Sequence, residues 1–181
     1  MNAASVILAS SPMIGPLTMA TLGRALAERG IAIATPTAEP ELDRFIGAAA
    51  GVAPPGRPRP SVLVGFSAAG PRLFAVAAAV EPDAVVFMDA RLPVDGMAPD
   101  AEPAFAELLD RLPIDADGTL PPWPSWWPAA VLESLVPQRS LRDAFVAECP
   151  CVRRAMLLTP IPAPTYVGPC AYLAFGDTYA D

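Results

Sequence analysis

The spacing of apolar and polar positions divides the chain into two unlike parts. Up to about position 92, short runs that are apolar on both faces alternate with stretches whose apolar residues recur at i, i+3, i+4 and i+7. These are the signatures of covered strands and amphipathic helices. Ser5–Ala9 is the first such run, and a turn-rich loop over 10–16 follows it. A helix comes next, with Leu22, Ala25 and Leu26 on one face and Gly30 marking its end. Residues 31–34 predict a second strand, and Leu42, Phe45, Ile46 and Ala49 a second helix. Glu39, Glu41 and Asp43 gather at that helix's start, where its dipole favours acid. A proline-rich connection over 51–60 carries Arg57 and Arg59, read as solvated charge, into the apolar run Ser61–Phe66. Leu73, Val76, Ala77 and Val80 then face one side of a third helix, and 83–88 forms a fourth strand closing on Asp89.

Strands alternating with helices in this way predict an α/β fold, a mostly parallel, doubly wound sheet binding its ligands at the strands' carboxyl ends. Ser10, Ser67, Asp89 and Asp177 would all emerge at that edge. Between Pro93 and Pro169 the alternation stops. No convincing strand is legible there, only helical patches (Phe105 to Leu112, Val131 to Val136, Leu141 to Val146) separated by prolines. The expected organisation is one domain, with a core of 1–92 and 170–181 and a helical cap or lid over 93–169. Residues 170–175 return as a strand, and Gly176-Asp177 turns out of it. Trp123, Trp126 and Trp127, the only tryptophans, all lie in the insert. Either they roof an apolar substrate pocket or they pin the insert to the body.

Residues 61–80 hold the clearest chemistry. An apolar strand stops at a serine hemmed in by small residues, Gly65-Phe66-Ser67-Ala68-Ala69-Gly70, and a helical period begins at once. That is the pattern of a nucleophile elbow in relaxed form, since a strict G-x-S-x-G would place glycine where Ala69 stands. The same six residues also fit an ordinary tight turn in which Ser67 is an N-cap.

Composition narrows the field. With 53% hydrophobic and 17% charged residues, the chain holds enough core for one folded domain despite 24 prolines. The net charge of -7, with no lysine at all, excludes a nucleic-acid footprint. Cys149, Cys151 and Cys170 make an odd count that implies no disulfide framework. Cys149-Pro150-Cys151 lacks the histidine or second cysteine pair that a metal site requires, so Cys149 and Cys151 read as small buried thiols, with no metal and no cofactor expected. The first basic residue is Arg24, so no signal peptide is expected. No apolar run is long enough to span a membrane, and the expected location is cytoplasmic.

Five segments together resemble small bacterial α/β-hydrolase-fold proteins: 5–16 with Gly15-Pro16; 61–71; Val86-Phe87-Met88-Asp89-Ala90-Arg91-Leu92-Pro93; 121–127; and 170–181. The resemblance implies a serine nucleophile at Ser67, an acid at Asp177, a helical cap, and an oxyanion hole between the elbow and the first loop. Ala68 N–H would be one donor of that hole. The family commonly carries histidine where this chain has Ser10, and Pro12, two positions on, has no N–H to give. The second donor therefore shifts to the amide of Met13.

The family's histidine, which takes the proton from the serine, lies beyond the strand that follows the acid, and the 181 residues contain no histidine. At ordinary element lengths the missing part would need roughly 40 more residues. The chain is thus expected to be C-terminally incomplete, or else a homodimer partner covers the exposed sheet edge. Three readings stay open. The first is hydrolysis or acyl transfer on a small apolar ester, thioester or amide at Ser67. The second is non-hydrolytic chemistry by a cyclase, lyase or dehydratase, using Ser10, Ser11, Ser67, Asp89 and Arg91. The third is an inactive small-molecule-binding homologue. Asp89 also fits a plain turn-capping role, and Arg91 either pairs with it or meets an anionic substrate.

Overall fold

The computed structural model describes residues 4–37, 39–53, 56–98 and 103–176. Five strands, β1 (Ser5–Ala9), β2 (Ala32–Ala34), β3 (Ser61–Phe66), β4 (Ala84–Met88) and β7 (Cys170–Leu173), form one sheet in the order β2-β1-β3-β4-β7. Every pairing in it is parallel. Helices α1 (Leu17–Ala27), α2 (Leu42–Val52) and α3 (Leu73–Val80) cover it. The doubly wound α/β arrangement expected from the alternation is therefore present, with β3 in the middle.

The two faces of the sheet are not equally covered. Ile7, Ala9, Leu63, Val85 and Phe87 point to the side of α2 and α3, packing with Phe45, Ala49, Leu73 and Val76. Val6, Leu8 and Met88 point to the other side, where Met19 and the half-buried Leu22 and Leu26 of α1 meet them. In β3 the residues facing α2 and α3 are buried while Val62, Val64 and Phe66 are half-buried. Both-sided apolar runs therefore predict two covered faces, and the covering is complete on only one among the described residues. Sheet edge β7 is exposed at all four positions.

The start of β3 is fixed by charge. Asp83 accepts the Ser61 N–H at 2.7 Å and pairs with Arg59. Its carboxyl is held below the usual value first by that N–H, then by Arg59. Arg57 is not the solvated charge expected, because it donates to the carbonyls of Val80 and Glu81 at the end of α3, where a helix leaves acceptors without partners.

The stretch between β4 and β7 is mainly helical, with α4 (Pro103–Arg111), α5 (Ala129–Leu135), α6 (Arg139–Glu148) and α7 (Arg154–Leu158). Two features depart from the sequence reading. A short antiparallel pair, β5 (Thr119–Leu120) with β6 (Val152–Arg153), sits where no strand is legible, and α7 is unforeseen. Two-residue strands are too short to show a period. Cys149 is buried as expected, but Cys151 is exposed. It stands immediately before β6.

Glycine is required where the layers come closest. A Cβ on Gly70 would lie 2.1 Å from the Arg91 carbonyl oxygen, an atom that cannot swing away. A Cβ on Gly47, in the exposed middle of α2, would meet nothing within 4 Å. Gly70→Ala is therefore expected to cost about 3 kcal/mol and lower the melting temperature by about 6–12 °C. Gly47→Ala should instead add about 0.5–1 kcal/mol. Thermal unfolding of the two variants checks both, and an unchanged Gly70→Ala would contradict the packing.

Candidate active site

Parallel register brings three strand ends together. Ala9 pairs with Gly65 and Phe66 with Met88, so Ser10, Ser67 and Asp89 follow at the same edge. Each belongs to a loop on the carboxyl side of the sheet, where open α/β sheets take their ligands.

Strand β3 ends at Phe66 and runs directly into a 3-10 turn, Ser67–Arg72, that continues as α3. At Ser67 the backbone takes φ 54°, a left-handed conformation that costs a residue bearing a side chain about 1 kcal/mol or more. The turn is closely packed on both sides of it: a Cβ on Gly65 would be 2.5 Å from the Leu73 side chain, and one on Gly70 would be 2.1 Å from the Arg91 carbonyl oxygen. Ser67 stays half-buried while Ala68, Ala69, Gly70, Pro71 and Arg72 behind it are all buried. Ala68 N–H lies in the first turn of a helical segment, where an amide has no carbonyl partner within the helix.

Asp89 is the second side-chain-bearing residue of the site with a left-handed backbone, φ 43°. Its N–H donates to the Leu173 carbonyl at 2.7 Å, and its carboxylate accepts the Phe175 N–H at 3.3 Å. The carboxylate thus ties down the exit of β7. Half-buried Arg91 contributes its backbone carbonyl as the stop behind Gly70. Asp177 lies outside the described residues.

The loop after β1 is closed in on itself. Ser10 and Ser11 are buried, and Ser11 Oγ accepts the Met13 N–H at 3.3 Å. The amide expected as second oxyanion donor is therefore already held within its own loop, because Pro12 leaves Met13 as the next N–H in line. Ser10 Oγ has no hydrogen-bond partner among the described residues.

Above the elbow, Met13 and Ala68 share an apolar cluster with Leu109, Leu120, Trp126, Val152 and Leu157 of the insert. Trp126 is buried and its Nε1 donates to the Pro121 carbonyl at 2.7 Å. Trp123 meets the edges of Trp127 and Phe145 at 6.1 and 6.4 Å. Trp126 thus packs in the cluster that holds Ala68, while Trp123 and Trp127 are half-buried around it. A second tie was not legible: Glu148, at the end of α6, accepts the Leu17 N–H at 2.8 Å where α1 begins. A Cβ on Gly15 would stand 2.3 Å from that of Glu148, so only glycine admits this contact. Beside it, burial pushes the Cys149 thiol up, with the Gly15 N–H pulling it the other way.

Arg72 was also missed, although it is the one charged residue between positions 61 and 80. A lone charge inside so apolar a run is the signal that could have found it. Arg72 is 1% exposed, and its guanidinium donates to the carbonyls of Ala68 and Pro40 at 3.0 and 3.3 Å.

A cavity of about 180 Å³ lies elsewhere, lined by Ser5, Val6, Ile33, Val52, Arg57 and their neighbours, and none of its lining residues belongs to the elbow. It is mostly apolar and open, and it brings no reactive groups together, so the strained serine locates the site better than the cavity does. Among the described residues no group of three or more Cys, Asp or Glu is placed to hold a metal. Among them, too, no helix is long and apolar enough to cross a membrane.

No protein-family model matches the chain, and no curated protein matches it in sequence. Solved structures do match. An extracellular α/β-hydrolase from a Paenibacillus species, described as sharing structural and functional homology with tobacco salicylic acid binding protein 2, aligns with TM-score 0.69 and 16% identity over 97% of this chain and 81% of that one. A variant of tomato methylketone synthase I in complex with β-ketoheptanoate aligns with TM-score 0.70 and 13% identity over 99% and 81%. A pyrethroid hydrolase from Sphingobium faniae JZ-2 gives TM-score 0.60 and 16% identity over 91% and 73%. The chain has the α/β-hydrolase fold, as the resemblance implied.

Strain at Ser67 has a measurable consequence. Ser67→Gly relieves the left-handed backbone and Ser67→Ala does not, so the glycine variant is expected to be more stable than the alanine variant by about 1 kcal/mol. Urea unfolding of the pair checks this, and an alanine variant at least as stable would deny the strain.

Proposed function

We propose that the chain is an enzyme of small-molecule metabolism in which Ser67 attacks a small apolar ester, thioester or amide. The observation that carries this reading is the left-handed φ of Ser67 at the end of the middle strand. Such strain survives only where surrounding packing holds it, and a nucleophile elbow carries its serine on a strained strand-to-helix turn of this kind.

In this reading Ser67 Oγ adds to the carbonyl carbon as its proton passes to a base, and the oxyanion that forms lies against Ala68 N–H. Collapse expels the alcohol, thiol or amine. Water then releases the acid and restores the serine. Asp177 would orient the base, and Trp123, Trp126 and Trp127 would bound the apolar part of the substrate beneath a helical lid. No imidazole is present in the 181 residues, so the base is either another group or lies outside them. The three unpaired cysteines fit a cytoplasmic setting, and a second copy of the chain would cover the open edge at β7.

A second reading, non-hydrolytic chemistry by a cyclase, lyase or dehydratase, is favoured by one specific observation. Met13 N–H is held by Ser11 Oγ, which leaves the expected oxyanion hole one donor short. Ser10, Ser11, Ser67, Asp89 and Arg91 would then bind substrate without a covalent intermediate.

A fluorophosphonate probe is expected to modify Ser67 alone, as read by peptide mass spectrometry, and Ser67→Ala should lower hydrolysis of short acyl esters by at least about a thousandfold. An unmodified Ser67 would contradict the nucleophile. Turnover retained by Ser67→Ala would establish the second reading, and no turnover by either protein would leave a binding role.

A further inference from the structure

Arg72 is the largest side chain in the described residues to be fully buried. A guanidinium keeps its proton in any protein interior, so burying one is costly unless its N–H groups are engaged. Here one of them is engaged on the reactive turn and a second on the segment before α2. Nη1 donates to the Ala68 carbonyl at 3.0 Å and Nη2 to the Pro40 carbonyl at 3.3 Å, with the Phe45 ring centroid 5.7 Å from the guanidinium carbon. One planar fork thus joins the peptide just past Ser67 to the segment that opens α2.

The geometry points to Arg72 as a positioning residue for Ser67, an inference that rests on the reading of Ser67 as nucleophile. Ala68 lies between two peptide planes. One carries the N–H that would hold the oxyanion, and the other carries the carbonyl that Arg72 grips. Only the φ and ψ of Ala68 separate them, so fixing the second plane limits the tilt of the first. The same grip opposes relaxation of the left-handed Ser67 beside it. Charge-assisted donors are the stronger kind, and two of them in a rigid plane fix direction as well as distance. Lysine offers a single point of charge on a flexible stem and cannot reach both carbonyls in the same way.

The test is the saturation kinetics of fluorophosphonate labelling of Ser67 in the wild-type chain, Arg72→Lys and Arg72→Met, all measured well below their melting temperatures. The maximal labelling rate is expected to fall about tenfold in Arg72→Lys and about a hundredfold in Arg72→Met, the scale set by a small misplacement of reacting groups. The half-saturating probe concentration should stay within about twofold, because the probe's own contacts are untouched. A residue that only fills space would lower the melting temperature and leave the maximal rate unchanged, and that result overturns the proposal. Should Arg72→Met fail to fold, Arg72→Lys decides alone, since it keeps the charge and most of the volume. Wild-type protein that is not labelled at Ser67 would instead refute the nucleophile on which the inference stands.

Discussion

At Gly70 the turn after the middle strand lies against the carbonyl of Arg91, so close that a single added carbon would overlap it. This contact is the constraint from which the site follows. The backbone leaving β4 forms a wall behind the turn, the Leu73 side chain fills the space beside Gly65, and between these two contacts Ser67 holds a left-handed conformation. Interiors pack like solids and give little, so strain at one residue is retained by many ordinary contacts around it.

The same wall ties the sheet edge and the insert to the site. Asp89, just before Arg91, holds the exit of β7 through Phe175, and Tyr172 of β7 accepts the Ala90 N–H in return. On the other side, the loop after β1 is fastened twice to the insert, through Met13 in the apolar cluster and through Glu148 at the start of α1. A carboxylate at a helix N-terminus meets both free N–H groups and the positive end of the dipole, which suits it to a fastening between two elements. The elbow is therefore held from below by its own helix, from the side by β4 and from above by the insert.

Much of this was legible because it depends on local patterns. Ser61–Phe66 is found as a strand with its observed bounds since the run 62–66, just past Pro60, holds no polar side chain until Ser67. Leu73, Val76, Ala77 and Val80 are all buried because a helix repeats its face at those steps. Gly65 and Gly70 stand out as small residues around a serine, although only the fold reveals what each one touches. The illegible parts depend on contacts between distant positions. Nothing local in Glu148 announces Leu17, and nothing in Pro40 announces Arg72, because side chains that cap another element leave no period of their own. The Met13 amide fails as a free donor for a similar reason: Ser11 competes for it two residues away, and sequence shows the donor but not the competitor.

The most direct measurement of the central claim is the backbone conformation of Ser67 in an electron-density map of the crystalline protein. A left-handed serine with φ near 54°, and Gly70 seated against the Arg91 carbonyl, is the result this account requires. A right-handed or fully extended Ser67 at the end of β3 would contradict it, since the hydroxyl would then be an ordinary helix cap with no enforced strain behind it.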